Sequence, residues 1–247
     1  MHPICPRDDE QGFVLITALW LLLLSGAIVA LMLLRSAGKA QANRAASQQA
    51  QMVFDMDAAV TTVAADLLFR GDQSRWARAP GDGTIDIDGR TLSVRVSSEN
   101  GRLDLNDGDL TVIDRGLQGL GVAADIRART GEALRSARAR NDRIASPAEL
   151  NQLLAEAGAG RILCLDDDLT LYSGLGRPDE SVMPAELARA LAIPQAAGEP
   201  FASIRPGMPI RLRITTAQGP ALTAVIRVVG TMDRAYDVMR WTSGPNC

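Results

Sequence analysis

The chain has 247 residues, 47% of them hydrophobic, and a formal net charge of −3 at pH 7. This length suffices for a membrane segment with one medium-sized or two small domains, and the charge does not indicate a nucleic-acid-binding protein. The single histidine, His2, precedes the first apolar segment. The rest of the chain therefore lacks the histidine needed for Ser-His-Asp or Cys-His catalysis and for His-ligated zinc sites.

The first predicted element is an uncharged apolar run of 22 residues from Phe13 to Leu34. A helix of this length spans about 33 Å, enough for a hydrocarbon core of about 30 Å, and it exceeds the 7–15 apolar residues usual in a cleavable secretory signal. A core helix of a soluble domain is the alternative interpretation. We favour a retained transmembrane helix that continues to about residue 70, because no proline occurs between Pro6 and Pro80.

The charges that flank this run point in two directions. Residues 1–12 hold one arginine against three acidic residues, whereas Arg35, Lys39 and Arg44 follow the run. Basic residues favour the cytoplasmic side, so this bias alone would direct the bulk of the chain inward. Acidic residues count little in that rule, so the flanking charges do not determine the orientation of the helix.

Alternating apolar residues predict strands after the helix. Ile85 and Ile87, then Leu92, Val94 and Val96, follow a period of two, with Asp88-Gly89 as the hairpin turn. A second turn at Asn100-Gly101 leads to Leu103 and Leu105, which predicts a third short antiparallel strand. Three further strands are predicted near the C-terminus, around Ile210–Ile214, Leu222–Val228 and Tyr236–Trp241.

A helical block is predicted between these two groups of strands. Ser146-Pro147-Ala148-Glu149 has a serine cap, a proline in the first turn and a glutamate three residues after the cap. A second helix is predicted to begin near Pro184, with Leu187 on its apolar face. Strands before and after a helical block indicate an α+β fold, in which one sheet carries a helical insertion.

The sequence resembles type IV pilin precursors. A short polar leader ends in Gly12, an apolar helix begins at Phe13, and the fifth residue after the glycine is Thr17, where most members carry glutamate. The lack of glutamate is typical of the K-type minor pseudopilin of the type II secretion system (general secretion pathway protein K). The segments "SSENGRLDLN", "SPAELNQLL", "LDDDLTLYSG" and "MPAELARALAI" are similar to segments of that family, in the same order.

This resemblance implies a fold and a domain division. The fold is a long N-terminal transmembrane helix followed by a pilin-like antiparallel sheet with a small inserted all-helical domain. The implied segments are a prepilin leader (1–12), the transmembrane and extended helix (13–70), the first part of the sheet (71–105), a helical SAM-like insert (106–195) and the last part of the sheet (196–247).

The resemblance also implies a function. A prepilin peptidase would cut between Gly12 and Phe13 and N-methylate Phe13, leaving a single-pass inner-membrane protein with a periplasmic domain. The chain would act at the pseudopilus tip with the I- and J-type minor pseudopilins and the major pseudopilin, promoting pseudopilus assembly and protein secretion. Uncharged Thr17 suits a tip subunit, which has no neighbouring amine above it to neutralise. The alternative is a minor pilin of a type IV pilus or of a DNA-uptake (competence) pseudopilus.

Two sets of residues raise further possibilities. Cys164 and Cys247 could form a disulfide in an oxidising compartment, or remain two free thiols. Some members of the family bind calcium, and Asp166, Asp167 and Asp168 form the most acidic run. That run lacks the spacing of an EF-hand loop, so a solvated acidic loop is favoured and no cofactor is predicted.

Two other functions fit the sequence less well. Six arginines between residues 127 and 143 could contact DNA phosphates, but a solvated arginine-rich helix is the preferred interpretation and no nucleic-acid partner is expected. Glu99, Asp168 and Ser173 are the residues that an enzyme hypothesis would name. They form no recognisable pairing of a nucleophile with a base, so a non-enzymatic role is predicted.

Overall fold

The computed structural model begins with one long helix, α1 (Asp8–Arg70). The structure describes residues 8–158, 167–194, 202–205, 207–216, 221–230 and 234–243. These residues belong to two compact units, Met1–Phe54 and Asp55–Cys247. The first unit is helical throughout its described part, and the second contains the last turns of α1 and the strands that the structure describes.

The second unit is built on a five-stranded antiparallel sheet in the order β2-β3-β7-β8-β9. Its strands are β2 (Gly81–Ile87), β3 (Arg90–Ser98), β7 (Pro209–Thr215), β8 (Leu222–Val228) and β9 (Tyr236–Ser243). A short antiparallel pair joins β1 (Arg78–Ala79) to β6 (Ala202–Ser203). The hairpin predicted at Asp88-Gly89 is confirmed, since both residues have positive φ, as a type I′ turn requires.

The last turns of α1 bury an apolar stripe. Its members repeat every three to four residues, which is the period of a helix face: Met56, Ala59, Val60, Val63, Ala64 and Leu67. Asp55 accepts a hydrogen bond from Arg90 of β3 at 2.7 Å, and the hydroxyl groups of Thr61 and Tyr236 of β9 are 3.1 Å apart. These contacts place this part of α1 on one face of the sheet.

The helical block forms a second core. Its helices are α2 (Leu110–Gly119), α3 (Ala124–Ala139), α4 (Pro147–Glu156) and α5 (Ala185–Ala190). The predicted cap of α4 is confirmed, because the hydroxyl of Ser146 accepts a hydrogen bond from the amide of Glu149 at 3.2 Å. Val225 of β8 belongs to the same hydrophobic cluster as the buried leucines of these helices, whereas the neighbouring residues of β8 point to the opposite face.

The strand predicted at Leu103 and Leu105 is partly wrong. Leu103 begins β4 (Leu103–Asp104), but this strand pairs in parallel with β5 (Leu169–Thr170) and not antiparallel with β3. Both leucines are buried in the hydrophobic cluster of the helical block. Burial among those helices, and not the turn at Asn100-Gly101, therefore determines the direction of this segment.

The observed fold is mixed α+β, with an apolar N-terminal helix, a further set of helices and a five-stranded antiparallel sheet. The helices α2 to α5 lie between β4 and β6 in the chain. This is the fold class that the sequence predicts. The division into a leader and four segments remains a prediction.

Close packing of α2 on α5 leads to a stability prediction. A Cβ added at Gly119 would lie 2.2 Å from the carbonyl oxygen of Ala190 and 2.5 Å from its Cα. Because backbone atoms cannot turn aside as a side chain does, Gly119→Ala is expected to lower the free energy of unfolding by about 1–3 kcal/mol. Urea unfolding of the full chain in detergent measures this loss.

Gly131 of α3 provides the matched control. A Cβ there meets only a guanidinium nitrogen of Arg135, at 3.8 Å. Gly131→Ala is expected to leave stability unchanged or to raise it by up to about 1 kcal/mol, because alanine is the better helix former. Equal effects of the two substitutions would contradict the packing argument.

Candidate functional site

The apolar part of α1 is the most distinctive surface of the chain. The 18 residues Leu15–Met32 contain no acidic or basic side chain, none of them is buried, and by length and composition they can cross a membrane. Eleven large apolar side chains in this window are more than half exposed: Leu15, Ile16, Leu19, Trp20, Leu21, Leu22, Leu23, Leu24, Val29, Leu31 and Met32. Covering one such side chain contributes about 1.5–3 kcal/mol, so a bilayer or other apolar helices could cover this surface favourably.

The polar residues of this segment are compatible with an apolar environment. The hydroxyl of Ser25 donates a 2.6 Å hydrogen bond to the carbonyl of Leu21, one helical turn earlier. Thr17 is half-buried. A helix also satisfies its own backbone donors and acceptors, which is the condition for placing a chain in lipid. The segment therefore has both the length and the hydrogen bonding of a membrane span.

The predicted processing residues both lie in this helix. Gly12 and Phe13 fall within α1, which begins at Asp8. Thr17 follows in the same helix, just inside the exposed apolar window. Cys164, Cys247 and Asp166 lie outside the described residues. Cleavage, the tip position and the disulfide therefore remain predictions.

Of the acidic run, the structure describes Asp167 and Asp168. Asp168 is 6% exposed, and its Oδ1 has no hydrogen-bond partner within the described part of the chain. Burial raises the pKa of Asp168, and the carboxylates of Glu186 and Asp167 raise it further. Among the described residues, no three acidic, histidine or cysteine side chains come close enough to hold a metal ion. Two described carboxylates do not make a full set of calcium ligands, and the preference for a solvated acidic loop over a calcium site stays a prediction.

A buried ion cluster connects the sheet to the helical block. Glu99, directly after β3, is fully buried and forms two hydrogen bonds with Arg211 of β7, at 2.6 and 3.2 Å. Thr170 of β5 also donates to this carboxylate, and Arg102 lies 3.4 Å from it. Arg211 donates in addition to the carbonyl of Leu169, at 3.4 Å. The cluster thus joins β3 and β7 to β5.

Electrostatics keep the Glu99 carboxyl ionised in this setting. Burial by itself would raise the pKa of Glu99, but the guanidinium groups of Arg211 and Arg102 outweigh burial, and the net effect is a pKa below the ordinary value. Arg102 is held in place by hydrogen bonds to the carbonyl of Asp167 at 2.9 Å and the hydroxyl of Ser97 at 3.0 Å. This cluster was not predicted from the sequence, although a glutamate directly after a predicted strand, Glu99, was a usable signal.

Two of the three residues named by the enzyme hypothesis pair with residues outside that set. Glu99 belongs to the ion cluster, and the hydroxyl of Ser173 donates to Asp104 at 2.9 Å rather than to Asp168. Asp104 also accepts from the amides of Asn106 and Gly174, at 2.8 and 2.7 Å. These contacts fix the turns around β4 and β5, which is a structural role.

The arginine-rich segment is also engaged within the chain. Each of its six guanidinium groups contacts an acidic side chain or a main-chain carbonyl: Arg127 with Asp114, Arg129 with Gly158, Arg135 with Glu132, Arg138 with Leu105, Arg140 with Asp142 and Arg143 with Asp107. Intramolecular pairing therefore accounts for the arginines that the DNA-binding alternative would use.

Comparison with known proteins identifies the fold. No family model matches the sequence, and no curated protein sequence matches it. A chain in the crystal structure of the GspK-GspI-GspJ complex from the enterotoxigenic Escherichia coli type 2 secretion system matches with a TM-score of 0.53 and 12% sequence identity. The match covers 82% of the present chain and 99% of that chain. The protein therefore has a pseudopilin-like fold with an apolar N-terminal helix.

Proposed function

We propose that this chain is the K-type minor pseudopilin of a type II secretion system and acts at the pseudopilus tip. The observation that supports this role most strongly is the similarity of its fold to a chain of the GspK-GspI-GspJ complex, over nearly all of that chain. Thr17, where most pilins carry glutamate, and the helical block between the strands favour the K-type over other pseudopilins.

Processing and location form part of the proposal. The precursor enters the inner membrane through its apolar helix, and the prepilin peptidase cuts between Gly12 and Phe13 and N-methylates the new N-terminus. The second unit then lies in the periplasm. This compartment is oxidising, so a disulfide between Cys164 and Cys247 is included in the proposal.

The exposed helix would serve two purposes in turn. Its apolar residues first hold the chain in the bilayer and then pack against the helices of other subunits when the pseudopilus forms. Both states cover the same exposed leucines, and this gives a physical reason for their number. The proposed partners are the I- and J-type minor pseudopilins and the major pseudopilin, and the role is structural rather than catalytic.

Cleavage of the precursor by the prepilin peptidase provides a test of this proposal. The full chain is extracted from membranes of cells with and without the prepilin peptidase, and its mass and N-terminal sequence are determined. We expect a mature chain beginning with N-methylated Phe13 only when the peptidase is present. Gly12→Leu, which changes the residue before the cut, is expected to leave the precursor intact, whereas Gln11→Ala serves as the control and is processed normally.

An uncut chain in both strains would contradict the proposed processing. The type IV pilus and DNA-uptake alternatives share this processing, so a second measurement is needed. The I- and J-type minor pseudopilins of the same bacterium are co-expressed with the chain and purified through it in detergent. Recovery of a complex supports the secretion-system assignment, and failure to recover one favours the alternatives.

A further inference from the structure

One edge of the central sheet combines strand backbone with exposed apolar side chains. Within the described residues, β9 pairs with β8 alone and forms an edge of the five-stranded sheet. The outward-facing amide and carbonyl groups of an edge strand form a template on which another strand can pair. Val238 and Trp241 of β9 are 53% and 37% exposed.

A bulge places these two side chains on the same face. Residues three apart in a regular strand point to opposite faces, but the pairing of β8 with β9 shifts by one residue between Val225 and Ile226. Val238 lies opposite Ile226, and Trp241 lies opposite Ala224. Since Ala224 and Ile226 are two residues apart, Val238 and Trp241 share a face.

This face is the one on which the last turns of α1 pack. Tyr236 begins β9, and its hydroxyl lies 3.1 Å from that of Thr61 in α1. Tyr236 pairs with Val228, which has the same orientation as Ile226. The patch formed by Tyr236, Val238 and Trp241 therefore lies on the face of the sheet that packs against the last turns of α1, within the second unit.

The opposite edge of the sheet has a different character. The exposed positions of β2 include the carboxylates Asp82 and Asp86, and charged side chains are a common means of preventing strand addition. In the described part of the second unit, the large hydrophobic side chains that are exposed are Phe69, Val238 and Trp241. Two of these three lie on β9, so the apolar surface is concentrated on one edge.

We propose that β9 is the docking edge for an extended strand of a neighbouring minor pseudopilin. This inference rests on the proposed function and adds the surface through which the partner binds. The backbone of β9 would pair with the partner strand, and Val238 and Trp241 would contact apolar side chains on one face of that strand. A lipid surface cannot supply the backbone pairing, and exposed Asp57, one helical turn from Thr61, disfavours anionic headgroups.

Amide hydrogen exchange tests this proposal directly. The full chain in detergent is compared alone and in complex with the co-expressed I- and J-type minor pseudopilins of the same bacterium. Exchange in Tyr236–Ser243 is expected to slow by about tenfold or more in the complex, because edge amides gain hydrogen-bond partners. Exchange in Gly81–Ile87, on the opposite edge, is expected to stay within about twofold.

Substitutions provide a second readout. Val238→Lys adds a charge to the exposed face of β9 and is expected to weaken the complex by about tenfold. Thr84→Lys places the same charge on an exposed position of β2 and is expected to leave binding unchanged.

The outcomes separate this inference from the proposed function. A complex in which β9 exchanges as fast as in the free chain would overturn the docking edge and leave the proposed function standing. Protection of β9 in the free chain together with dimer formation would assign the edge to a second copy and overturn the proposal. Failure to recover any complex would contradict the proposed function itself, and it would also contradict the proposal that β9 binds a partner strand.

Discussion

Arg211→Met is expected to lower the free energy of unfolding by about 3–5 kcal/mol, since it leaves the Glu99 carboxylate buried with one of its two cationic neighbours removed. Glu99 is fully buried, and Arg211 is its bidentate partner at 2.6 and 3.2 Å. A buried charge that loses its partner retains the cost of desolvation without the compensating attraction. Methionine fills much of the space of the arginine stem, so the loss measures charge rather than a cavity.

Urea unfolding of the full chain in detergent, followed by tryptophan fluorescence, measures this effect. Trp76 is 1% exposed and reports on the second unit. Arg135→Met is the control: Arg135 pairs with Glu132 on the surface, where both side chains are more than half exposed, and an exposed pair contributes at most about 1 kcal/mol. A loss below about 1 kcal/mol for Arg211→Met would contradict the structural importance of the cluster.

The same cluster predicts a dependence on pH. The pKa of Glu99 is lower in the folded chain than in the unfolded chain, because Arg211 and Arg102 outweigh burial. The stability that this difference contributes is present above the unfolded-state pKa of about 4.3 and is lost as the pH falls through the folded-state pKa. Glu99→Gln is expected to reduce stability at neutral pH and to flatten the decline in acid, as unfolding measured between neutral and acidic pH would record. An equally steep decline in the variant would assign the acid sensitivity to other carboxylates.

The sequence predicted most elements for physical reasons that are local. The hairpin at Asp88-Gly89 needs positive φ at both turn residues, and the Ser146 cap satisfies amides at the start of α4. The apolar span is recognisable from length and the absence of charge alone. Such features depend only on residues that are close together in the sequence, so they can be predicted without knowing the fold.

Features that depend on distant residues were not predictable in the same way. Glu99 and Arg211 are separated by 112 positions, and nothing near either residue identifies the other. Leu103 showed the alternation of an antiparallel strand, yet the partner available in the folded chain is the parallel strand beginning at Leu169. The bulge that turns Val238 and Trp241 to the same face likewise arises from pairing with β8.

The candidate functional surfaces likewise include one that was predictable from the local sequence and one that was not. The apolar helix was predicted from its composition, and the structure adds that none of the side chains in the window Leu15–Met32 is buried. The β9 edge was not predicted as a surface, because a strand at an edge and a strand in the centre of a sheet can have similar sequences. Only the order of the strands distinguishes them.

The proposed tip position predicts that a charged substitution at Thr17 has a large effect on secretion. In a filament, the glutamate usual at this position compensates the N-terminal ammonium of a neighbouring subunit. A subunit at the tip has no such neighbour above it, so a carboxylate there would remain unpaired among apolar side chains. An acidic side chain at the centre of a membrane helix costs about 2.5–3.5 kcal/mol, and less near the ends of the span.

Thr17→Glu is therefore expected to leave peptidase cleavage intact and to reduce secretion by at least about tenfold, the factor that corresponds to 1.4 kcal/mol. Secreted enzyme activity in the medium measures the loss, and the N-terminal sequence of the membrane-extracted chain verifies processing. Thr17→Val keeps the shape of threonine without its hydroxyl or any charge and is expected to secrete normally, which separates the effect of charge from that of substitution. Full secretion by Thr17→Glu would mean that this position tolerates a carboxylate. The proposal that a tip subunit needs an uncharged residue here would then be wrong. The fold and the anchoring role of the helix would be unaffected.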